Sequence, residues 1–428
     1  MSGERGIYWV EGGSAVWHPA ALGEDMLKAG SESMGNRRMV RRMVRRLLVG
    51  AAAVSGWLVP AALPAQVAVR ELGEPSAAFG EPFSLIAGVR ELSDGRLLVS
   101  DALDESLYEL TPDLSAARKI GRNGQGPEEY RQPDALFALA GDSTLMTDLG
   151  NGRLAVVAPD GSLSRSIPVT QENDGELLIL LPAGVDRQGR FYFEPRGDGT
   201  IRDSAAVVRW HPAAGSADTV ARIKLRDMAE SASGEAGRVE VRAMPVPLSP
   251  EDGWAAAPDG RVAVVRVADY RVEWVQPDGR LLRGPPTPWE PVRVRTADKE
   301  AWVRDLASAG LMMMITNNNG QLRASMRRGG APGRGGPDID RFEWPETKPP
   351  FAASAVEVAP DGRLWVGRHV DAADRPEYDV FDGSGRRVGI VRLPAGRSLV
   401  GFGPVSVYVS RRDELDFQWL ERYDLPSH

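Results

Sequence analysis

A short motif recurs along most of the chain: a turn, usually Asp-Gly, followed by an alternating apolar strand. "LSDGRLLVSD" (92–101) is answered by "LAGDSTLMTD" (139–148), "VDRQGRFYFE" (185–194), "AAPDGRVAVV" (256–265) and "VAPDGRLWVG" (358–367), with "GFGPVSVYVS" (401–410) as a weaker sixth copy. The strands begin at Leu97, Thr144, Phe191, Val262, Leu364 and Val407, at intervals of 47, 47, 71, 102 and 43 residues. A period of ~40–50 residues made of several short strands is that of a β-propeller blade. The two long intervals read as insertions on that same period.

Glycine accepts positive φ, so Asp-Gly ahead of an alternating run reads as a hairpin turn. A second turn follows one hairpin later in most units: "APDGSL" (158–163), "QPDGRL" (276–281) and "FDGSGR" (381–386), with "TPDLS" (111–115) as a degenerate form. Each unit therefore reads as four antiparallel strands, and the chain as an all-β, six-bladed β-propeller. "VAVREL" (67–72) is expected to become the outer strand of blade six, sealing the ring and covering sheet edges.

The propeller is assigned to residues 66–428. Ahead of it, "NRRMVRRMVRRLLVGAAAVSGWLVPAALPAQ" (36–66) sets six arginines before an apolar run from Leu47 to Leu63, then Pro64 and Ala65. That order is expected of a secretory signal peptide over 34–65, cleaved after Ala65. A retained anchor is the competing reading. The run is short against the ~17–25 residues of a spanning helix, and Gly50, Gly56 and Pro60 interrupt it. Residues 1–33 lie upstream of where such a signal begins and are read as a non-native or disordered extension. The protein is thus expected to be exported, periplasmic or extracellular, with no stable membrane span after cleavage.

Beyond residue 66 the chain holds 44 basic and 54 acidic residues, a formal charge of -10. An acidic surface is poorly suited to nucleic acid or to an anionic membrane. The 428 residues contain no cysteine, which excludes disulfides, thiolate metal sites and cysteine nucleophiles. The 4 histidines, His18, His211, His369 and His428, are too few for an ordinary three-histidine metal centre.

"IGRNGQGPEEYRQP" (120–133) has the glycines of a phosphate loop but not its context. Neither a helix nor Lys-Ser/Thr follows, so no helix N-terminus would face an anion. The longer stretch 121–161, with its glycine cluster, Tyr130, Pro133, Asp148, Asn151 and Arg153, resembles the NHL repeat of six-bladed propellers. The match is close over blade two, partial over blade one and loose elsewhere. Residues 67–428 as a whole resemble exported bacterial NHL-like propellers, most visibly in "GQGPEEY" and "RDELDFQWLERYDL". The resemblance implies the fold and an extracytoplasmic setting, and makes the glycine stretch a connector between blades; it implies no single activity.

Long loops on a rigid ring are the usual seat of binding. Here the turns within hairpins on one face are short. The other face carries 121–133, 194–203, 226–252, 284–353 and 368–376, so its channel mouth is the expected site. Asp101, Asp148, Asp269 and Arg368 are read as ending second strands there, with Asp104, Asn151, Arg153, Arg271, His369 and Asp371 beside them. Carboxylates converging from several blades could bind a divalent cation such as Ca²⁺. The alternative is that each Asp accepts backbone N–H bonds and fixes its own turn. His369 could act as a general base oriented by Asp371, or be a solvated loop residue.

The insertion 284–353 contains "TADKEAWVRDLASAGLMMMI" (296–315), read as a helix capped by Thr296 with Asp298 and Glu300 in its first turn. Trp302, Leu306, Ala309 and Met313 would share one face, packed on the ring or covering the mouth. "RRGGAPGRGGP" (327–337) reads as a flexible basic loop, and 226–252 as a surface loop.

No Ser-His-Asp spacing, metal-ligand run or cofactor fingerprint is present. The first functional expectation is therefore a monomeric binding or scaffold propeller that presents its loops to a peptide, glycan or protein. The resemblance extends to sugar lactonases, whose metal is held by acidic and amide residues, and implies the alternative of a metal-dependent hydrolase at the channel mouth.

Overall fold

Each Asp-Gly turn reverses the chain, and the apolar residues alternating on either side of it give a sheet with two buried faces. The computed structural model describes residues 5–9, 14–16, 67–173, 176–195, 202–212, 214–235, 238–309, 311–318, 321–328, 338–371 and 374–426. The expected signal segment 34–65 and most of the basic stretch 327–337 lie outside the described residues. The architecture is a six-bladed β-propeller with one helix among the described residues.

Blade one is Ile86–Glu91, Leu97–Asp101, Ser106–Leu110 and Ala117–Ile120, paired antiparallel in that order from inside to outside. Blades two, three and four follow the same pattern, starting at Pro133, Gly184 and Gly253. Blade five spans Phe351–Val358 to Arg387–Arg392, and blade six Arg397–Phe402, Ser406–Arg412 and Gln418–Asp424. The turn glycines Gly95, Gly189, Gly260 and Gly362 have φ of 72–88°, which only glycine adopts without strain. In the same turns Asp94, Asp259 and Asp361 each accept the N–H two residues on, at 3.0–3.1 Å.

The N-terminal strand does not go where the sequence suggested. Ala68–Glu71 pairs parallel to Arg387–Arg392 as a fifth strand of blade five, not as the outer strand of blade six. Leu72 buries itself in the core between blades five and six, which anchors that placement, and Glu71 pairs at the surface with Arg375 and Arg392 at 3.1 and 3.4 Å. The short strand Ala77–Ala78 lies instead against Gln418–Asp424 of blade six.

Six apolar clusters form the core, one at each junction of neighbouring blades. That between blades six and one joins Phe79, Phe83, Leu97 and Val99 to Tyr408 and Leu420. Tyrosines cross the junctions as well: Tyr270 donates to Asp379 at 2.5 Å and Tyr408 to Glu91 at 2.7 Å. Blades four and five approach so closely that a Cβ on Gly284 would collide with the backbone of Gly385. Gly284→Ala is therefore expected to destabilise the protein by about 1–3 kcal/mol, measured as a fall in denaturation midpoint.

The insertions hold more structure than expected. The stretch 226–252 contains the hairpin Met228–Glu235 with Arg238–Pro245 rather than a plain surface loop. In 284–353 the helix runs Thr296–Ala309 and then gives way to the hairpin Leu311–Asn318 with Gln321–Arg328, so Met313 belongs to a strand and shares no helical face with Trp302. The strands Arg5–Trp9 and Ser14–Val16 pair with these two hairpins. The helix cap also differs. Asp298 accepts the N–H of Arg295 at 2.8 Å, the reach-back bond of a capping box, which makes Arg295 the cap and Thr296 the first helical residue.

Candidate functional site

Ends of second strands do point toward the loop face, but their carboxylates are already engaged. Asp101, 2 % exposed, accepts the N–H groups of Ser84, Leu85 and Asp104 at 2.6, 3.0 and 3.1 Å. Burial pushes its carboxyl above the ordinary carboxylate value despite those donors. Asp148, fully buried, accepts from Arg131 N–H at 3.0 Å, Asn151 Nδ2 at 2.8 Å and Arg153 Nε at 3.0 Å.

Asn151 and Arg153 go on to bind the carbonyls of Gly124 and Gly126 at 2.9 and 3.3 Å, and Arg153 also that of Glu129. Glu129 in turn accepts the Gly126 N–H at 2.7 Å. A Cβ on Gly124, whose φ is 158°, would strike the Glu129 carboxylate. The glycines of 121–133 thus let the backbone fold around Glu129, and Asp148, Asn151 and Arg153 fasten that connector to blade two.

The other expected residues are scattered. Asp104 accepts from Tyr108 at 2.8 Å and pairs with Lys119 at 3.1 Å, at a rim groove beside blade one. Asp269 is not at a strand end. The strand stops at Arg266, and Asp269 pairs with Arg271 at 2.5 Å in the turn that follows. Arg368 binds Glu377 at 2.7 Å and lies 3.8 Å from buried Asp379. Asp371 pairs with Arg295 at 2.5 Å rather than serving His369. Among the described residues no group of three or more His, Asp or Glu side chains is placed to hold a metal. The donor sets of Asp101 and Asp148 do not fit a Ca²⁺ site either, since the ion would have to displace amide, amide-like and guanidinium donors from buried oxygens.

What the loop face does contain is a cavity of about 630 Å³ at the channel mouth. Its walls come from blade two (Asp134, Thr147), blade three (Glu194), blade four (Trp254) and blade five (Phe351, Ser354, His369). The helix adds Asp298, Ala301, Trp302 and Leu306, so it covers the mouth as well as packing on the ring. A buried ion pair holds it there: Lys348 Nζ lies 2.6 Å from Asp298 Oδ1 and donates to the Val370 carbonyl at 2.6 Å. Behind it Trp302 packs edge-on to Phe342 and Trp344, with ring centroids 5.0 and 5.6 Å away.

Of the ten expected residues, His369 is the one that lines this cavity. Its Nδ1 lies 2.9 Å from the Pro349 carbonyl, which can only accept, so Nδ1 carries the proton. Burial holds the imidazole below its usual value, leaving Nε2 an unprotonated acceptor near neutral pH. Trp254 donates its indole N–H to Glu194 Oε1 at 2.5 Å, and Arg226 pairs with Glu251 at 3.3 Å. Glu194, Trp254, Lys348 and Thr147 were not foreseen. Glu194 follows the second strand of blade three, the very position that drew attention to Asp101 and Asp148, so the same rule applied to blade three finds it.

These features define a six-bladed propeller with a covered, partly aromatic cavity at its loop-bearing mouth. No protein-family model and no curated protein matches the chain. Solved structures resemble it in architecture. A member of the DUF4221 family from Bacteroides vulgatus has a TM-score of 0.43 at 8% identity, over 83% of this chain and 98% of that one. A gluconolactonase from Xanthomonas campestris gives 0.38 at 14% identity, over 85% and 99% of the two chains. The calcium-binding protein regucalcin from Agrobacterium tumefaciens gives 0.38 at 13%, over 84% and 97%. At such identities and scores nothing about activity passes from these proteins to this one. No helix among the described residues is long and apolar enough to cross a membrane.

Proposed function

We propose that the protein is an exported, monomeric, NHL-like binding propeller that acts without covalent chemistry and holds a small organic group of a glycan or peptide in its channel-mouth cavity. The observation that carries this reading is the cavity itself. About 630 Å³ falls within the usual range for small-molecule sites, and it combines Trp254, Trp302 and Phe351 with a few polar side chains, as such sites do. Asp101 and Asp148 are spent on loop amides, Asn151 and Arg153, and no group of three or more metal-capable side chains lies among the described residues, which favours binding over metal-assisted hydrolysis.

The test is the thermal midpoint of the purified protein against a panel of monosaccharides, disaccharides and tripeptides, with EDTA and Ca²⁺ as separate arms. At least one organic probe is expected to raise the midpoint, by the equivalent of ~2.7 kcal/mol at a hundred times its dissociation constant. Ser354→Trp, which fills the cavity from an exposed position, is expected to abolish that rise. A rise that survives Ser354→Trp would place the ligand elsewhere. A rise specific to Ca²⁺ would favour the hydrolase instead.

A further inference from the structure

One acidic side chain on the cavity wall lacks a cationic partner among the described residues. Asp298 is matched by Lys348 at 2.6 Å and Glu251 by Arg226 at 3.3 Å. Glu194 is met only by the neutral indole of Trp254, at Oε1, so Oε2 has no partner among the described residues. One further polar atom on the cavity wall is unused. His369 Nε2 makes no bond to a described residue and, with the proton on Nδ1, can only accept.

Resting on the binding reading above, we infer that the group bound here carries a protonated primary amine, seated on Glu194 against the aromatic wall. A carboxylate left without a cation in a partly desolvated pocket favours a cationic ligand, because unpaired buried charge is costly and a charge-assisted hydrogen bond is strong. Trp254 and Trp302 line the same cavity, and an aromatic ring attracts an ammonium group placed over its face. Glu194 Oε2 and His369 Nε2 accept hydrogen bonds without donating any. A compact body with one ammonium head and a few hydroxyl or amide groups satisfies both. An amino sugar and a lysine side chain both present this chemistry.

The experiment compares charged and neutral partners of matched size by calorimetric titration: glucosamine against glucose, and Nα-acetyl-lysine amide against Nα-acetyl-norleucine amide, the acetyl group removing the α-ammonium that both would otherwise carry. Each charged probe that binds is expected to bind about tenfold or more tightly than its neutral counterpart. Binding of glucosamine alone identifies an amino sugar, and binding of Nα-acetyl-lysine amide alone a basic side chain. Glu194→Gln should erase the preference, while Glu194→Asp, which keeps the charge, should retain it; this pair separates lost recognition from lost folding. Equal affinity for charged and neutral probes overturns the inference yet leaves the binding reading in place. A charge preference that persists in Glu194→Gln also overturns it. Failure of every probe, charged or neutral, removes both.

Discussion

Asp148→Ala is expected to cost at least about 3–5 kcal/mol of folding stability, the usual cost of removing one partner of a buried ion pair. The carboxylate is fully buried and holds the Arg131 amide, Asn151 and Arg153 together. Without it the guanidinium of Arg153, 17 % exposed, loses its counter-charge beneath the connector 121–133. Because Asn151 and Arg153 bind the connector carbonyls, the loss spreads from blade two into the junction with blade one. Asp104→Ala supplies the contrast. Its carboxylate is 40 % exposed, and its bonds to Lys119 and Tyr108 are worth no more than about 1 kcal/mol as a surface pair. Chemical denaturation of the two variants beside the parent protein checks both values, and equal effects would refute the scaffold role given to Asp148.

A second large effect is a dependence of stability on pH that runs opposite to ordinary acid denaturation. Glu357 lies on the inner strand of blade five, opposite Trp365, on the side facing blade six. Burial pushes its carboxyl from 4.5 up to about 7. The folded state therefore holds a proton that the unfolded chain releases near 4.5. This contribution is fully present below 4.5 and is lost as pH rises through about 7, amounting to at most about 3 kcal/mol between the two limits, because the side chain is only half-buried. Glu357→Gln keeps the shape of the neutral acid but cannot ionise. The stability of the variant relative to the parent is thus expected to rise by at most about 3 kcal/mol from pH 4 to pH 8, with the remaining carboxylates common to both proteins. A constant difference across that range would mean that the Glu357 carboxyl titrates alike in the folded and the unfolded chain.

Much of the ring was legible in the sequence because its repeat is dictated by backbone geometry. Second strands begin at Leu97, Thr144, Phe191, Val262 and Leu364, as the Asp-Gly spacing indicates. In blade six the strand starts at Ser406, one residue before the expected Val407, since the turn there is closed by the Ser406 N–H and carbonyl on Gly403. The N-terminal strand was misplaced because its pairing depends on residues far away in sequence, the strand Arg387–Arg392 and the core between blades five and six that takes Leu72. Alternation shows that a segment is a strand but not which sheet edge receives it.

The site was less legible. A polar residue at the end of a second strand has the same local pattern whether it faces the channel or folds back onto its own loop. Asp101 and Asp148 fold back, while Glu194 at the corresponding place in blade three reaches the cavity. Lys348, in "TKPPF", has no local sign of burial, and its 6 % exposure follows from a helix fifty residues earlier in the chain. The helix itself could be read from its spacing. Its position over the mouth depends on Lys348 and on the aromatic contacts of Trp302 with Phe342 and Trp344, none of which is local.

The measurement that tests the central claim most directly is amide hydrogen exchange of the full chain with and without saturating glucosamine or Nα-acetyl-lysine amide, whichever binds. Protection is expected over the helix Thr296–Ala309, around Leu181–Ala183 and Trp254, and along 351–354, which together enclose the cavity. Protection confined to the Asp-Gly hairpins of the opposite face, or to the groove beside Asp104, would contradict it.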